Sequence, residues 1–66
     1  DLINVTSTQQ IERVTVMSYV GQIVKDQMVN NATEVKIGTE NIEDGMYFIR
    51  IETSSGIVTK KITIAR

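Results

Sequence analysis

Carboxylate side chains are the groups in this sequence that could do chemistry, and they are densest between residues 39 and 45. Glu40, Glu43 and Asp44 lie within five consecutive positions. Two neighbouring carboxylates can serve as general acid and general base when a partly dry pocket keeps one of them protonated. A 66-residue chain is poorly suited to enclose such a pocket, because domains of this size bury only about 60% of their unfolded surface. We therefore predict that the protein is not an enzyme and has no catalytic residue.

The same carboxylates raise the alternative of a calcium site, because hard cations take several oxygen ligands at once. Asn41 adds an amide oxygen to the group. The spacing does not match the twelve-residue calcium loop, however, and Asp44 followed by Gly45 is typical of a solvated turn. The sequence contains no cysteine and no histidine, which removes thiolate sites, the commonest zinc ligand and the usual general base. We expect neither a metal ion nor a cofactor.

Basic side chains concentrate only at the end of the sequence, in Lys60, Lys61 and Arg66. Seven basic and eight acidic residues give a formal net charge of −1, so no strong field favours a nucleic acid partner. No apolar run approaches the roughly 20 residues of a membrane span, and we expect no direct membrane insertion. Strand alternation sends Lys60 and Lys61 to opposite faces. These lysines either deter pairing with another chain or belong to a recognition element, and the residues alone leave both readings open.

Short β-strands are the elements that must position these residues. Four glycines and no proline punctuate the chain, and β-branched residues alternate with polar ones between the glycines. A helix with Met17, Val20, Val24 and Met28 on one stripe is the alternative. Gly21 inside that helix would cost about 1 kcal/mol relative to alanine. Turns are expected near Gly21, at Asn30 and Asn31, and at residues 54–56. The six predicted strands are residues 2–6, 11–20, 22–30, 33–37, 46–53 and 57–66.

The alternation also predicts which face of each strand is buried. The polar loop between the fourth and fifth strands has one aliphatic residue, Ile42, which we expect to anchor it. A chain with several short strands and tight turns favours an all-β fold, namely a small immunoglobulin-like antiparallel β-sandwich of six to seven strands. We expect residues 1–66 to form a single domain with an unpaired edge near Asp1. The expected core positions are Ile3, Val5, Val14, Val16, Val35, Ile37, Tyr47, Ile49, Ile51, Val58, Ile62 and Ile64.

Three segments occur in a familiar order: VTVMSYVGQIV at residues 14–24, TENIEDGMYFIRI at 39–51, and SSGIVTKKITIAR at 54–66. The first has a Val-x-Val strand that runs into a Gly-Gln turn. The second has the loop pattern Asn, aliphatic, two variable positions, Gly, apolar and Tyr, and the third has a glycine turn before Thr-Lys-Lys. Together they resemble the type A C-terminal sorting domain of the type IX secretion system, carried by secreted proteins of the Bacteroidetes.

The resemblance implies a targeting function. It implies that the domain directs a larger cargo across the outer membrane, after recognition in the periplasm by the type IX translocation and shuttle proteins. It also implies that a sortase-like surface protease removes the domain while the cargo is joined to anionic lipopolysaccharide, so that the cargo reaches the cell surface or the medium. The signal residues implied are Gly21, Gln22, Asn41, Ile42, Gly45, Tyr47, Gly56, Thr59, Lys60, Lys61 and Arg66.

The sequence departs from the family pattern at several positions, and two other functions are alternatives. The family's Asn-Pro element before the first strand is absent, which suggests a trimmed N-terminus, and Met17 and Ser18 replace an aromatic and an Asn or Asp. One alternative is an immunoglobulin-like spacer or binding module of a surface adhesin or glycan-degrading enzyme. Another is an oligomerisation domain, with a homodimer formed through an open edge strand.

Overall fold

The computed structural model describes residues 2–65, which form one antiparallel sheet of four strands. The strands are β1 (Leu2–Ser18), β2 (Ile23–Gly38), β3 (Gly45–Thr53) and β4 (Gly56–Ile64). Their order in the sheet is β2-β1-β3-β4, so β2 and β4 form the two edges. No helix occurs within the described range. The all-β prediction is confirmed.

The predicted six to seven strands are not confirmed, because β1 and β2 each unite two of the predicted segments. The expected turn at Asn30 and Asn31 is wrong, since both residues lie inside β2. Asn31 adopts a left-handed φ of 54°, a conformation that asparagine tolerates better than most residues. Shifts in the β1–β2 register on both sides of Ile11 absorb the extra residues as bulges. The polar residues that indicated a chain reversal therefore lie at a bulged bend within the β1–β2 ladder.

The bend brings two parts of the same sheet together. β1 has 17 residues, which would span about 56 Å at about 3.3 Å per residue if the strand were straight. The longest dimension of the protein is only 30 Å. The first part of β1 pairs with the end of β2 alone, while residues from Ile11 onward pair with both β2 and β3. The predicted two-sheet immunoglobulin-like sandwich is not confirmed, because the described residues form one bent sheet.

A single apolar cluster fills the concave side of this bent sheet. Most of the expected core positions are buried there, and Ile42 is buried as predicted for the loop anchor. Val58 differs from the expectation because it shares the inner face but remains 47% exposed on the edge strand β4. Ile3 and Ile62 are partly buried against the cluster. The buried members are Val5, Ile11, Val14, Val16, Val35, Ile37, Ile42, Tyr47, Ile49, Ile51 and Ile64.

Candidate recognition surface

The turn between β1 and β2 is fixed by backbone bonds around Ser18. The Ser18 amide donates to the Gln22 carbonyl at 2.8 Å, and the Gly21 amide donates to the Ser18 carbonyl at 2.9 Å. The Ser18 hydroxyl oxygen accepts a further bond from the Gln22 amide at 3.2 Å. Gly21 has a φ of 89°, which strongly favours glycine. The predicted turn is confirmed, and it leaves the Gln22 side chain exposed.

The loop between β2 and β3 is held by its own buried side chain, Ile42, and by the buried Tyr47 of β3. Ile42 is 4% exposed, and its amide donates to the Thr39 carbonyl at 3.0 Å. The Tyr47 hydroxyl donates to the Glu43 carbonyl at 2.6 Å, which ties the loop to the first residues of β3. Asn41 and Glu43 are exposed between these anchors. Ile42 and Tyr47 therefore shape the loop, while its polar side chains face solvent.

The turn and the loop lie together at one end of the sheet. Tyr47 pairs with Ser18 across β1 and β3, and with Ile62 across β3 and β4. A shallow concavity of about 350 Å³ lies between the two segments. We call it the turn–loop surface, and it unites four of the predicted signal residues with three that were not predicted. Its lining residues are Ser18, Gln22, Val24, Asn41, Ile42, Glu43 and Tyr47.

Gly21 and Gly45 flank the turn–loop surface in the sequence, at the β1–β2 turn and at the start of β3, whereas four other predicted residues lie away from it. Gly56, with a φ of 147°, follows the two-residue β3–β4 turn at the opposite end of β3. Thr59, Lys60 and Lys61 occupy the middle of β4, and strand register confirms that the two lysines face opposite sides. Arg66 lies outside the described residues. The predicted signal residues therefore form separate groups on the folded protein.

Exposed apolar side chains near the turn were missed by the sequence interpretation. Tyr19 and Val20 are 73% and 72% exposed in a turn where polar residues are usual. Ile23 and Val24 continue this exposed apolar surface into the start of β2. The sequence pattern could have indicated this exposed surface, because two large apolar residues directly precede the turn glycine.

Charged residues on the outer face of the sheet pair with one another. Arg13 lies 3.3 Å from the Asp26 carboxylate, which also accepts a bond from the buried Thr15 hydroxyl at 3.1 Å. Arg50 and Glu52 form a looser pair at 3.9 Å. These exposed or half-exposed pairs contribute little to stability, on the order of 0–1 kcal/mol each. Their charges are balanced within the face.

The carboxylates of the described part of the chain, those of the acidic loop included, are not arranged as a metal site. Within residues 2–65, no group of three or more acidic side chains is close enough together to hold a metal ion. The part of the chain that the structure describes also contains no helix long and apolar enough to cross a membrane.

Comparison with known proteins gives the chain a family. The family model described as the secretion system C-terminal sorting domain matches residues 1–65, essentially the whole sequence. No curated protein and no solved structure gives a significant match. The chain belongs to the family of C-terminal sorting domains of the type IX secretion system.

Proposed function

We propose that this domain is read in the periplasm as a folded signal by the type IX translocation and shuttle proteins, through the turn–loop surface and β4. Membership of the family makes the domain a C-terminal sorting signal for secretion to the cell surface or beyond, and such a domain is not itself catalytic. The spacer and binding-module alternatives are not favoured by that membership. The proposal concerns which surfaces carry the signal and which proteins read it.

One observation carries the proposal. Gln22 and Asn41 belong to different motifs of the sequence, yet both line the same concavity. Folding thus converts separated motifs into one exposed surface, which a partner can read only after the sheet has formed. Buried Ile42 and Tyr47 support that surface from below.

Export of a fused reporter tests the proposal. The chain is placed after a periplasmic reporter and expressed in strains with and without the type IX machinery. The double variant Gln22→Ala and Asn41→Ala removes two exposed side chains, and we expect at least a tenfold loss of surface reporter with the fold retained. A matched double variant, Thr8→Ala and Gln9→Ala, changes exposed residues of β1 outside that surface and should be exported normally. Equal export of both variants would contradict the assignment of the surface.

The end of the chain is tested separately. Deletion of residues 65–66 removes positions beyond β4 and leaves every paired strand residue in place. We expect this deletion to block export while circular dichroism still reports the native strand content. Normal surface delivery would exclude a recognition role for the terminus.

We further propose that a sortase-like surface protease removes the domain and that the cargo is joined to anionic lipopolysaccharide. The resemblance to the family supports these steps. Mass spectrometry of the exported reporter should find the domain absent and a lipopolysaccharide adduct at the new carboxyl end. An exported reporter that retains the domain would overturn this part of the proposal alone.

A further inference from the structure

The two edges of the sheet differ in regularity. β4 pairs with β3 at every position from Gly56 to Ile64 without a register shift. At the other edge, bulges and the left-handed Asn31 interrupt the β1–β2 ladder. Bulges twist an edge strand away from new partners, whereas a regular strand presents an unbroken row of backbone donors and acceptors. Among the described strands, β4 is the edge suited to strand addition.

An apolar notch lies beside this edge on the inner face. Every residue from Gly56 to Lys61 is exposed, and Val58 on the inner face is 47% exposed. The notch has a volume of about 160 Å³ and separates the start of β1 from the β3–β4 hairpin. An inward side chain of a strand added to β4 would lie over it, covering apolar surface that β4 leaves open. Its apolar lining residues are Ile3, Val5, Ile49, Ile51 and Ile62, and its polar lining residues are Asn4, Thr6 and Lys60.

The charge on β4 selects among partners. Lys60 lies on the inner face opposite Ile49, and Lys61 lies on the outer face opposite Phe48. Neither lysine forms an ion pair with any residue in the range 2–65. β4 contains no acidic residue. A strand added to β4 would therefore meet positive charge at its centre on both faces, and acidic side chains there are favoured.

The same lysines disfavour a second copy of this chain. In the antiparallel register that overlaps β4 with another β4 completely, Lys60 lies opposite Lys60. Like charges directly opposite each other destabilise a strand pair. The two lysines thus disfavour self-pairing and favour an acidic strand. Charged residues on natural edge strands likewise prevent aggregation and discriminate between partners.

We propose that the free edge of β4 is a strand-addition site for an extended acidic segment of the secretion machinery. The segment pairs with the β4 backbone, places carboxylates beside Lys60 and Lys61, and inserts an apolar side chain into the notch. Main-chain hydrogen bonds supply affinity in this mode, and the alternating side chains supply specificity. The identity of the partner rests on the proposed sorting function, whereas the strand-addition site does not.

A peptide titration tests the site directly on the 66-residue chain. The probe is a nine-residue peptide with blocked termini, made of alternating threonine and valine with two central glutamates. The control peptide has two central lysines in place of the glutamates. We expect the glutamate peptide to slow hydrogen exchange of β4 amides, to leave β2 amides unchanged, and to bind at least tenfold more tightly than the lysine peptide. Methylation of its backbone nitrogens should abolish binding.

Charge reversal supplies the decisive control. The double variant Lys60→Glu and Lys61→Glu should reverse the preference between the two peptides. The matched variant Lys25→Glu and Lys36→Glu changes the two lysines of β2 and should leave the preference unchanged. An unreversed preference, or protection at β2 in place of β4, would overturn the site. Self-association through β4 in size measurements would replace the acidic segment with a second copy and overturn it as well.

Reporter export connects the site to the machinery. The β4 charge reversal should reduce type IX export at least tenfold, while the β2 reversal should not, with both variants folded by circular dichroism. Export of the unmodified fusion in a strain without the machinery would refute the proposed function and the partner, yet leave the peptide result standing. Machinery-dependent export that tolerates the β4 reversal would refute the strand-addition partner and the reading of β4, but neither the sorting function nor the turn–loop surface.

Discussion

Tyr47 joins the core to the turn–loop surface through one hydroxyl group. Its ring is buried, and its hydroxyl donates to the Glu43 carbonyl at 2.6 Å. The substitution Tyr47→Phe keeps the ring and leaves that partly buried carbonyl without this donor. We expect the free energy of unfolding to fall by about 0.5–1.5 kcal/mol, measured by urea denaturation. Hydrogen exchange in residues 41–44 should accelerate more than in β1.

Tyr19 provides the matched control for this prediction. It is the other tyrosine of the sequence, and its side chain is 73% exposed in the β1–β2 turn. Tyr19→Phe should leave the unfolding free energy within about 0.5 kcal/mol of the unmodified chain, as for most surface substitutions. An equal loss in both variants would show that the Tyr47 hydroxyl bond does not hold the loop.

Residue-level burial was largely predictable, because alternation assigns faces by a period of two. Tyr47, Ile49 and Ile51 are buried as that period requires, and Ile42 is the one aliphatic residue in a polar loop. The bond from Tyr47 to Glu43 was not predictable, since its acceptor is a backbone carbonyl. The exposure of Val58 also escaped prediction, because the face of a residue does not tell whether another layer covers it.

The bulged segment of β2 depends on the backbone conformation of Asn31. Its φ of 54° is the only positive value among the non-glycine residues at positions 2–65. Asn31→Val places a β-branched side chain in a left-handed conformation, and we expect a loss of about 1–2 kcal/mol in urea denaturation. Asn31→Gly should be neutral or slightly stabilising, because glycine adopts this conformation without a steric cost.

The neighbouring residue separates backbone strain from strand propensity. Asn30 is exposed in β2 and does not have a positive φ. Asn30→Val should be tolerated or mildly stabilising, since valine favours extended backbone. Similar losses for both valine variants would indicate that the asparagine side chains, and not the left-handed backbone, maintain the bend.

Strand boundaries at chain reversals were predicted correctly. The boundary predicted inside β2 was wrong, because the chain forms a bulge there. Gly21 and the Ser54-Ser55 turn produce hairpins. A glycine with positive φ stands at the end of each turn, Gly21 in the first and Gly56 in the second. Asn30 and Asn31 have the same local turn chemistry, but β1 continues to pair beyond them. Local composition cannot distinguish these outcomes, because a partner strand distant in sequence decides whether the backbone turns or bulges.

Across the whole molecule, one core connects both parts of the bent sheet. Val5 and Ile37 come from the far part of the β1–β2 hairpin, whereas Ile51 and Ile64 come from the β3–β4 hairpin, yet all belong to one buried cluster. Neither part has a second core of its own among the described residues. The turn–loop surface and the edge of β4 therefore depend on the same packing, so loss of either hairpin should remove both.

Shared packing predicts a single cooperative unfolding transition. Ile37 is 1% exposed on β2, and Ile37→Val should lower the unfolding free energy by about 0.5–1.5 kcal/mol. A single two-state transition requires the urea midpoints from nuclear magnetic resonance signals of residues 2–6 and of β4 to fall together, and we expect that result. Ile57→Val, at a residue 64% exposed on β4, should move neither midpoint appreciably. If residues 2–6 unfold earlier while β4 keeps its original midpoint, the far part of the hairpin is a separate unit, and the edge of β4 could then act without it.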